Sequence, residues 1–322
     1  MLAAKVTTEF QSAVRVAAAT ILRQDAAILP LYRGDIVSSR PKVLRAAIAV
    51  VSTLSLSMLS ACANYAAPAA SSAPAASASG SPGAAAPTLI TAGKLLVCTH
   101  LSYKPFQFKD DAGNVVGFDV DLMDLVAKKL GATQEIVDIE FAQITSGAAF
   151  AANKCDLGAA ATTIRDDRAK AILFSAPYFE ATQALLTKTG SGIKDLAGLR
   201  GKKLGVQTDT TGQDYAKANV DANGYEIVVF EDMPSQLAAV LSGRVDAAVN
   251  DNGVVFDYAK ENPTSEVTAE FNTGEKYGFM AKRDNANATA LMTVVNEVLA
   301  TAETDGGYNT IYKKWFGVDA PK

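Results

Sequence analysis

Thr163 and Arg168 stand five residues apart in TTIRDDRAKAILFSAPY (162–178), which follows the acid-led apolar run DLGAAA. An arginine can fork two parallel N–H groups onto a carboxylate, and a nearby hydroxyl can add a further donor. The backbone from Ala161 to Thr163 offers N–H groups to the same anion. Thr210 and Thr211 open the stretch TGQDYAKAN, where free backbone N–H groups and the helix dipole favour negative charge. Asp251 closes the strand-like RVDAAVND and supplies an acceptor for a cation. Each residue also has a plain reading. Alone, Arg168 within RDDR fits solvated surface charge. Thr210 and Thr211 fit an N-cap, and Asp251 before Asn252 and Gly253 fits a turn.

The elements that would position these residues lie in one part of a longer chain. The sequence has 322 residues, 49% hydrophobic and 20% charged, enough for two compact lobes. One histidine and three cysteines, with no CxxC and no HExxH, argue against a metal or dithiol centre. No cofactor is expected, and no nucleophile triad is recognisable. Arg40, Lys42 and Arg45 precede an uncharged apolar run at 46–61, too short to span a bilayer and suited to a signal peptide. The run ends in LSAC, which resembles the lipobox of bacterial lipoproteins and implies lipidation of Cys62. Residues 1–61 read as a lead plus signal peptide. Residues 62–88 read as the lipidated cysteine and a flexible Ala/Pro/Ser tether with too little apolar surface to fold. From Cys62 onward, 23 basic residues face 31 acidic ones. That balance gives no electrostatic footprint for nucleic acid or anionic lipid.

From residue 94 strands and helices alternate. KLLVCTH reads as a strand and FQFKDDAGNVVGFDV as a hairpin. VDLMDLVAKKLG reads as an amphipathic helix, with Leu122, Val126 and Leu130 on one face and Gly131 at its end. EIVDIEF, a helix through SGAAFAANK and the strand CDLGAAA follow. A second series runs through KKLGVQT, TGQDYAKANVDANG, YEIVVF, PSQLAAVLSG and RVDAAVND. SGAAFAANKCDLGAAA and SQLAAVLSGRVDAAVN share one plan: a small-residue helix, a tight turn, an aspartate and a buried strand. Units of this kind predict mainly parallel sheets flanked by helices. ATQALLTK (181–188) and EKYGFMAK (275–282) read as crossings between lobes. The expected fold class is α/β, with lobe one at 89–183 plus 280–322 and lobe two at 184–279.

Four motifs then line up in order. YKPFQFKDDAGNVVGFDVDL resembles the Y-x-P-F-x-F…G-x-x-x-G-F-D-x-D-L opening of the family 3 solute-binding proteins, extracytoplasmic receptors of polar amino-acid ATP-binding-cassette importers. CDLGAAATTIRDDRAKAILFSAPY is similar to that family's D…T-I-T-x-x-R…F-S-x-P-Y segment. LGVQTDTTGQDYA resembles its G-V-Q-x-G-T-T loop, and GRVDAAVNDNGV its G-R-x-D-A…D strand end. The resemblance covers about residues 89–318. It implies a two-lobed, type II periplasmic-binding-protein-like fold with two crossing hinge strands, closing on a small zwitterion of the amino-acid class.

On that resemblance, Arg168, Thr163, Thr210, Thr211 and Ala161 are expected to hold the ligand carboxylate and Asp251 its ammonium. Tyr103 is expected to wall the cleft. Three departures bear on the ligand side chain. His100 stands where the family usually has an acid, Gln143 where it often has an aromatic, and Asp209 where it usually has glycine. With no aromatic wall, these residues imply either a polar or charged ligand side chain or a ligand that is not a standard amino acid. Arg165 replaces the more usual threonine. The resemblance further implies a cell-envelope lipoprotein, a monomer on a lipid anchor, with a cognate permease as partner. Cys98 and Cys155, on strands expected to be neighbours, are either a disulfide or two buried thiols. The alternative function is a cyclohexadienyl-dehydratase-like enzyme on the same fold, with His100 or Asp209 as general acid.

Overall fold

A computed structural model describes residues 86–321. Cys62, the apolar run before it and the tether up to residue 85 lie outside the described residues. The chain enters through β1 (Lys94–Thr99) and a short hairpin of β2 (Phe108–Lys109) and β3 (Val115–Val116). Gly117 turns the chain into α1 (Phe118–Lys129) with φ at 144°. A Cβ there would overlap the Phe106 carbonyl oxygen, so only glycine fits this turn. At the other end of α1 Gly131 takes a φ of 64°, the left-handed stop that its sequence position predicts.

β4 (Thr133–Asp138) pairs parallel with β1. Two short helices, α2 (Phe141–Thr145) and α3 (Ala148–Ala151), lead to β5 (Leu157–Gly158), which lies parallel on the other side of β1. β6 (Ile172–Phe174) precedes β7 (Phe179–Lys188), which enters a second sheet. There β8 (Lys203–Gln207), α4 (Thr211–Asn223), β9 (Glu226–Phe230), α5 (Met233–Ser242), β10 (Ala247–Asp251) and α6 (Asn252–Glu261) follow. β11 (Ser265–Tyr277) runs back beside β7. β12 (Met280–Lys282) rejoins the first sheet, and α7 (Ala286–Asp305) and α8 (Gly307–Phe316) close the fold.

The sheet orders are β4-β1-β5-β12-β6 and β11-β7-β10-β8-β9. Each sheet has four strands in one direction and one reversed: β12 in the first, β7 in the second. The reversed strand is in each case the one reached by a crossing segment. The crossings themselves pair with each other, Ala181 opposite Glu275 and Phe179 opposite Tyr277. This is the two-sheet, helix-flanked architecture of a type II periplasmic-binding-protein-like fold.

Packing follows the apolar periodicity. Leu122, Met123 and Val126 of α1 share a core with Leu291, Met292 and Val295 of α7, so the C-terminal helices cover the first sheet. Phe118, Phe179, Tyr312 and Phe316 pack around the crossing strands, with ring centroids 4.5–6.0 Å apart. On the opposite face of the first sheet, Ile144, Phe150, Ile172 and Met280 enclose Cys98 and Cys155. The two sulfurs are joined at 2.07 Å, across a sequence separation of 57.

Candidate functional site

The ends of β1, β5, β8 and β10 converge on one cavity. Its walls come from both sheets: His100, Tyr103, Gln107, Phe141, Ala160, Ala161, Thr163 and Arg168 on one side, Gln207, Thr210, Thr211 and Asp251 on the other. Strand ends are where an open α/β sheet leaves backbone groups and side chains free to meet a ligand.

Arg168 begins a single 3₁₀ turn, Arg168–Lys170, and is 7% exposed. Its Nη1 donates to the Thr163 carbonyl oxygen at 3.2 Å and its Nη2 to the Asp209 carbonyl oxygen at 2.7 Å. The guanidinium also lies 5.4 Å from the Phe141 ring centroid. These contacts aim the group, and the remaining N–H donors are uncommitted. Burial, followed by the nearby charge of Arg165, lowers its pKa from the ordinary guanidinium value. This burial removes the surface-charge reading of Arg168. The Thr163 N–H, five residues back, is engaged by no described residue.

Asp251 sits at the junction of β10 and α6, 5% exposed. Its Oδ2 accepts from the Tyr277 hydroxyl and lies 3.1 Å from the Tyr103 hydroxyl, and its Oδ1 accepts from Gln183 Nε2 at 2.5 Å. Burial pushes its carboxyl up to about 6, and the charge of Glu275 adds to that rise. The bonds from Tyr277, Gln183 and Tyr103 oppose it. The Tyr103 hydroxyl also reaches Asn250 Oδ1 at 2.8 Å, so Tyr103 ties the first sheet's side of the cavity to the second.

Several expectations are corrected. The Ala161 N–H is not free for an anion. It donates to Asp119 Oδ2 at 2.8 Å, which holds Ala161 at a φ of 45°. Thr163 and Thr211 do not turn hydroxyl protons into the cavity, because both donate to Glu275 Oε2, at 3.0 and 2.8 Å. Thr210 is consumed locally: its Oγ1 donates to the Gln207 carbonyl and accepts from the Gln213 N–H, capping α4. Gln143 does not line the cavity. Its Oε1 accepts from Lys154 Nζ at 2.9 Å, and the wall is aromatic after all, supplied by Phe141 two residues earlier. Asp209 also stands outside the lining. It adopts a φ of 60°, which explains why glycine suits that position, and its Oδ2 accepts from the Thr145 hydroxyl at 2.7 Å. His100 does line the cavity, with Nδ1 3.0 Å from the Ile139 carbonyl oxygen.

Sequence reasoning missed Phe141, Gln107, Gln183 and Glu275. Gln183 and Glu275 were discoverable as polar residues inside the two crossing segments, ATQALLTK and EKYGFMAK. Gln183 Nε2 lies between the two acids, 3.1 Å from Glu275 Oε1. Gly212 lets α4 start against this group: a Cβ there would sit 2.8 Å from Gln183 Oε1. Among the described residues no cluster of three or more His, Cys, Asp or Glu side chains is placed to hold a metal.

The arrangement opposes a buried guanidinium to a buried carboxylate across one small cavity, the chemistry of a zwitterion site. The chain is 31% identical over 233 residues to the L-cystine-binding protein TcyJ of Escherichia coli (strain K12), covering 71% of this chain and 85% of that protein. It matches the structure of an ancestral arginine-binding protein bound to arginine with a TM-score of 0.65 and 38% identity, over 70% of this chain and 98% of the other. It also matches the ancestral amino acid-binding protein AncCDT-1, a precursor of cyclohexadienyl dehydratase. That TM-score is 0.62 at 35% identity, over 70% and 95% of the two chains. The family model of the bacterial extracellular solute-binding proteins, family 3, matches residues 95–318, and the chain belongs to that family.

Proposed function

We propose that the protein is an extracytoplasmic receptor that closes around an α-amino acid and presents it to the permease of an ATP-binding-cassette importer. The observation that carries this reading is the single cavity lined by both Arg168 and Asp251, contributed from opposite sides. Arg168 and the Thr163 N–H hold the α-carboxylate, Asp251 holds the α-ammonium, and Tyr103 and Phe141 wall the cleft. Residues 89–183 plus 280–322 form one lobe and residues 184–279 the other, with β7 and β11 as the hinge. Contacts between the lobes support closure as the switching motion: Thr145 with Asp209, Arg165 with Asp214 at 2.6 Å, and Tyr103 with Asn250. The relatives named for cystine and arginine support an amino-acid ligand. The chain is exported and works as a monomer, held at the membrane by a lipid on Cys62 and the Ala/Pro/Ser tether.

The second reading, a cyclohexadienyl-dehydratase-like enzyme, draws on the likeness to AncCDT-1. Binding is favoured because Asp209, one of the two candidate general acids, stands outside the cavity lining with its Oδ2 accepting from the Thr145 hydroxyl. Titration calorimetry against the amino acids tests the receptor reading. Arg168→Ala is expected to weaken binding more than ~100-fold, since it strips the partner from a buried carboxylate. Retained affinity in that variant contradicts the assignment.

A further inference from the structure

We propose that the cleft takes a basic amino acid, with its side-chain N–H groups on His100 Nε2 and Gln107 Oε1. This rests on the receptor reading above and narrows the ligand within it. His100 Nδ1 faces the Ile139 carbonyl at 3.0 Å. A carbonyl only accepts, so Nδ1 carries a proton, and Nε2 is the acceptor end whenever the ring holds one proton. Gln107 is 1% exposed, and its Nε2 points at the His100 carbonyl oxygen, 3.4 Å away. That contact sets the sense of the amide and leaves Oε1 as its acceptor end. Both side chains line the cavity, and neither acceptor atom has a partner among the described residues, although both atoms are buried. A buried acceptor without a donor is costly, so a ligand that brings N–H groups there removes that cost and gains a bond.

The rest of the cavity leans the same way. Each hydroxyl has one proton, and Glu275 Oε2 takes those of Thr163 and Thr211. The two oxygens can therefore offer only lone pairs to the cavity they line. Charge adds to the bias. Arg168 and Arg165 are outnumbered by Asp251, Glu275, Asp209, Asp167 and Asp214 around the cleft. The α-carboxylate and α-ammonium of a ligand cancel each other, so a cationic side chain offsets this acidic excess, whereas an acidic one increases it. A carboxylate-ended side chain would also set its oxygens against acceptors.

The test is calorimetric titration of the full-length protein with the twenty standard amino acids, L-ornithine and L-cystine, repeated on His100→Leu and Gln107→Leu. L-arginine, L-lysine or L-ornithine is expected to bind best, at least about tenfold tighter than L-glutamine, with L-glutamate and L-leucine weaker still. Each substitution is expected to cost the basic ligand about tenfold while changing L-leucine little. Preference for any other amino acid overturns the proposal and leaves the receptor reading intact. Binding of none overturns the receptor reading itself. The wild-type ranking needs no variant and decides the proposal even if a substituted cleft fails to fold.

Discussion

SGAAFAANKCDLGAAA and SQLAAVLSGRVDAAVN begin alike and end in opposite chemistry. In the second unit β10 keeps five residues in the sheet, between β7 and β8, and delivers Asp251 at its tip. In the first, β5 holds only two residues before the chain leaves the sheet. Asp119 takes the Ala161 N–H, and Asp119 in turn accepts the Tyr178 hydroxyl at 2.8 Å. The chain after Ala161 therefore runs along the cavity, with the free N–H of Thr163 and then Arg168. On the proposed reading, one supersecondary plan yields an anion-binding edge where its strand breaks and a cation-binding carboxylate where its strand runs on. At the break a buried acid, Asp119, takes a backbone donor that would otherwise be free for the sheet.

Three changes should probe that contrast, beginning with Arg168→Ala beyond the broken strand, which removes the proposed anion side with the largest loss. Next is the carboxylate end. Asp251→Asn is expected to weaken amino-acid binding by ~10- to 100-fold, measured by titration calorimetry. In the wild type, affinity should fall as pH drops through about 6, where the Asp251 carboxyl takes up a proton and ceases to balance an ammonium. An affinity that is flat between pH 8 and pH 5 would separate Asp251 from the ligand.

The smallest effect concerns stability. Burial raises the Asp119 carboxyl from 3.8 to about 7 in the folded chain. A raised carboxyl binds its proton more tightly folded than unfolded. Its contribution is therefore complete below about pH 4 and is lost as pH rises through about 7. The ligand-free protein should resist urea better at pH 5 than at pH 8. Asp251 acts in the same direction. Asp119→Asn should flatten the profile, and an unchanged slope in that variant would contradict the role given to Asp119.

Much of this was legible because it is local. The periodicity of Leu122, Val126 and Leu130 with Gly131 beyond them marked α1, and Thr210 and Gly224 bracket α4 as its cap and its left-handed stop. Arg168 and Asp251 were readable from residue type and position within their motifs. What failed depended on partners distant in sequence or on helix phase. The directions of the Thr163 and Thr211 hydroxyls are fixed by Glu275, 112 and 64 residues away. Asp251-Asn252-Gly253 fits a turn, yet α6 begins there. In the five-residue α2, a two-residue shift is more than half a turn, which takes the cleft wall from Gln143 to Phe141.

The central claim is that an amino acid is held by its α-carboxylate on Arg168 opposite Asp251. The most direct test is to titrate the wild-type protein with L-arginine and with L-argininamide, which keeps the ammonium and the side chain but replaces the carboxylate by a neutral amide. The account predicts that the amide binds at least ~100-fold more weakly. Equal binding of the two would contradict it.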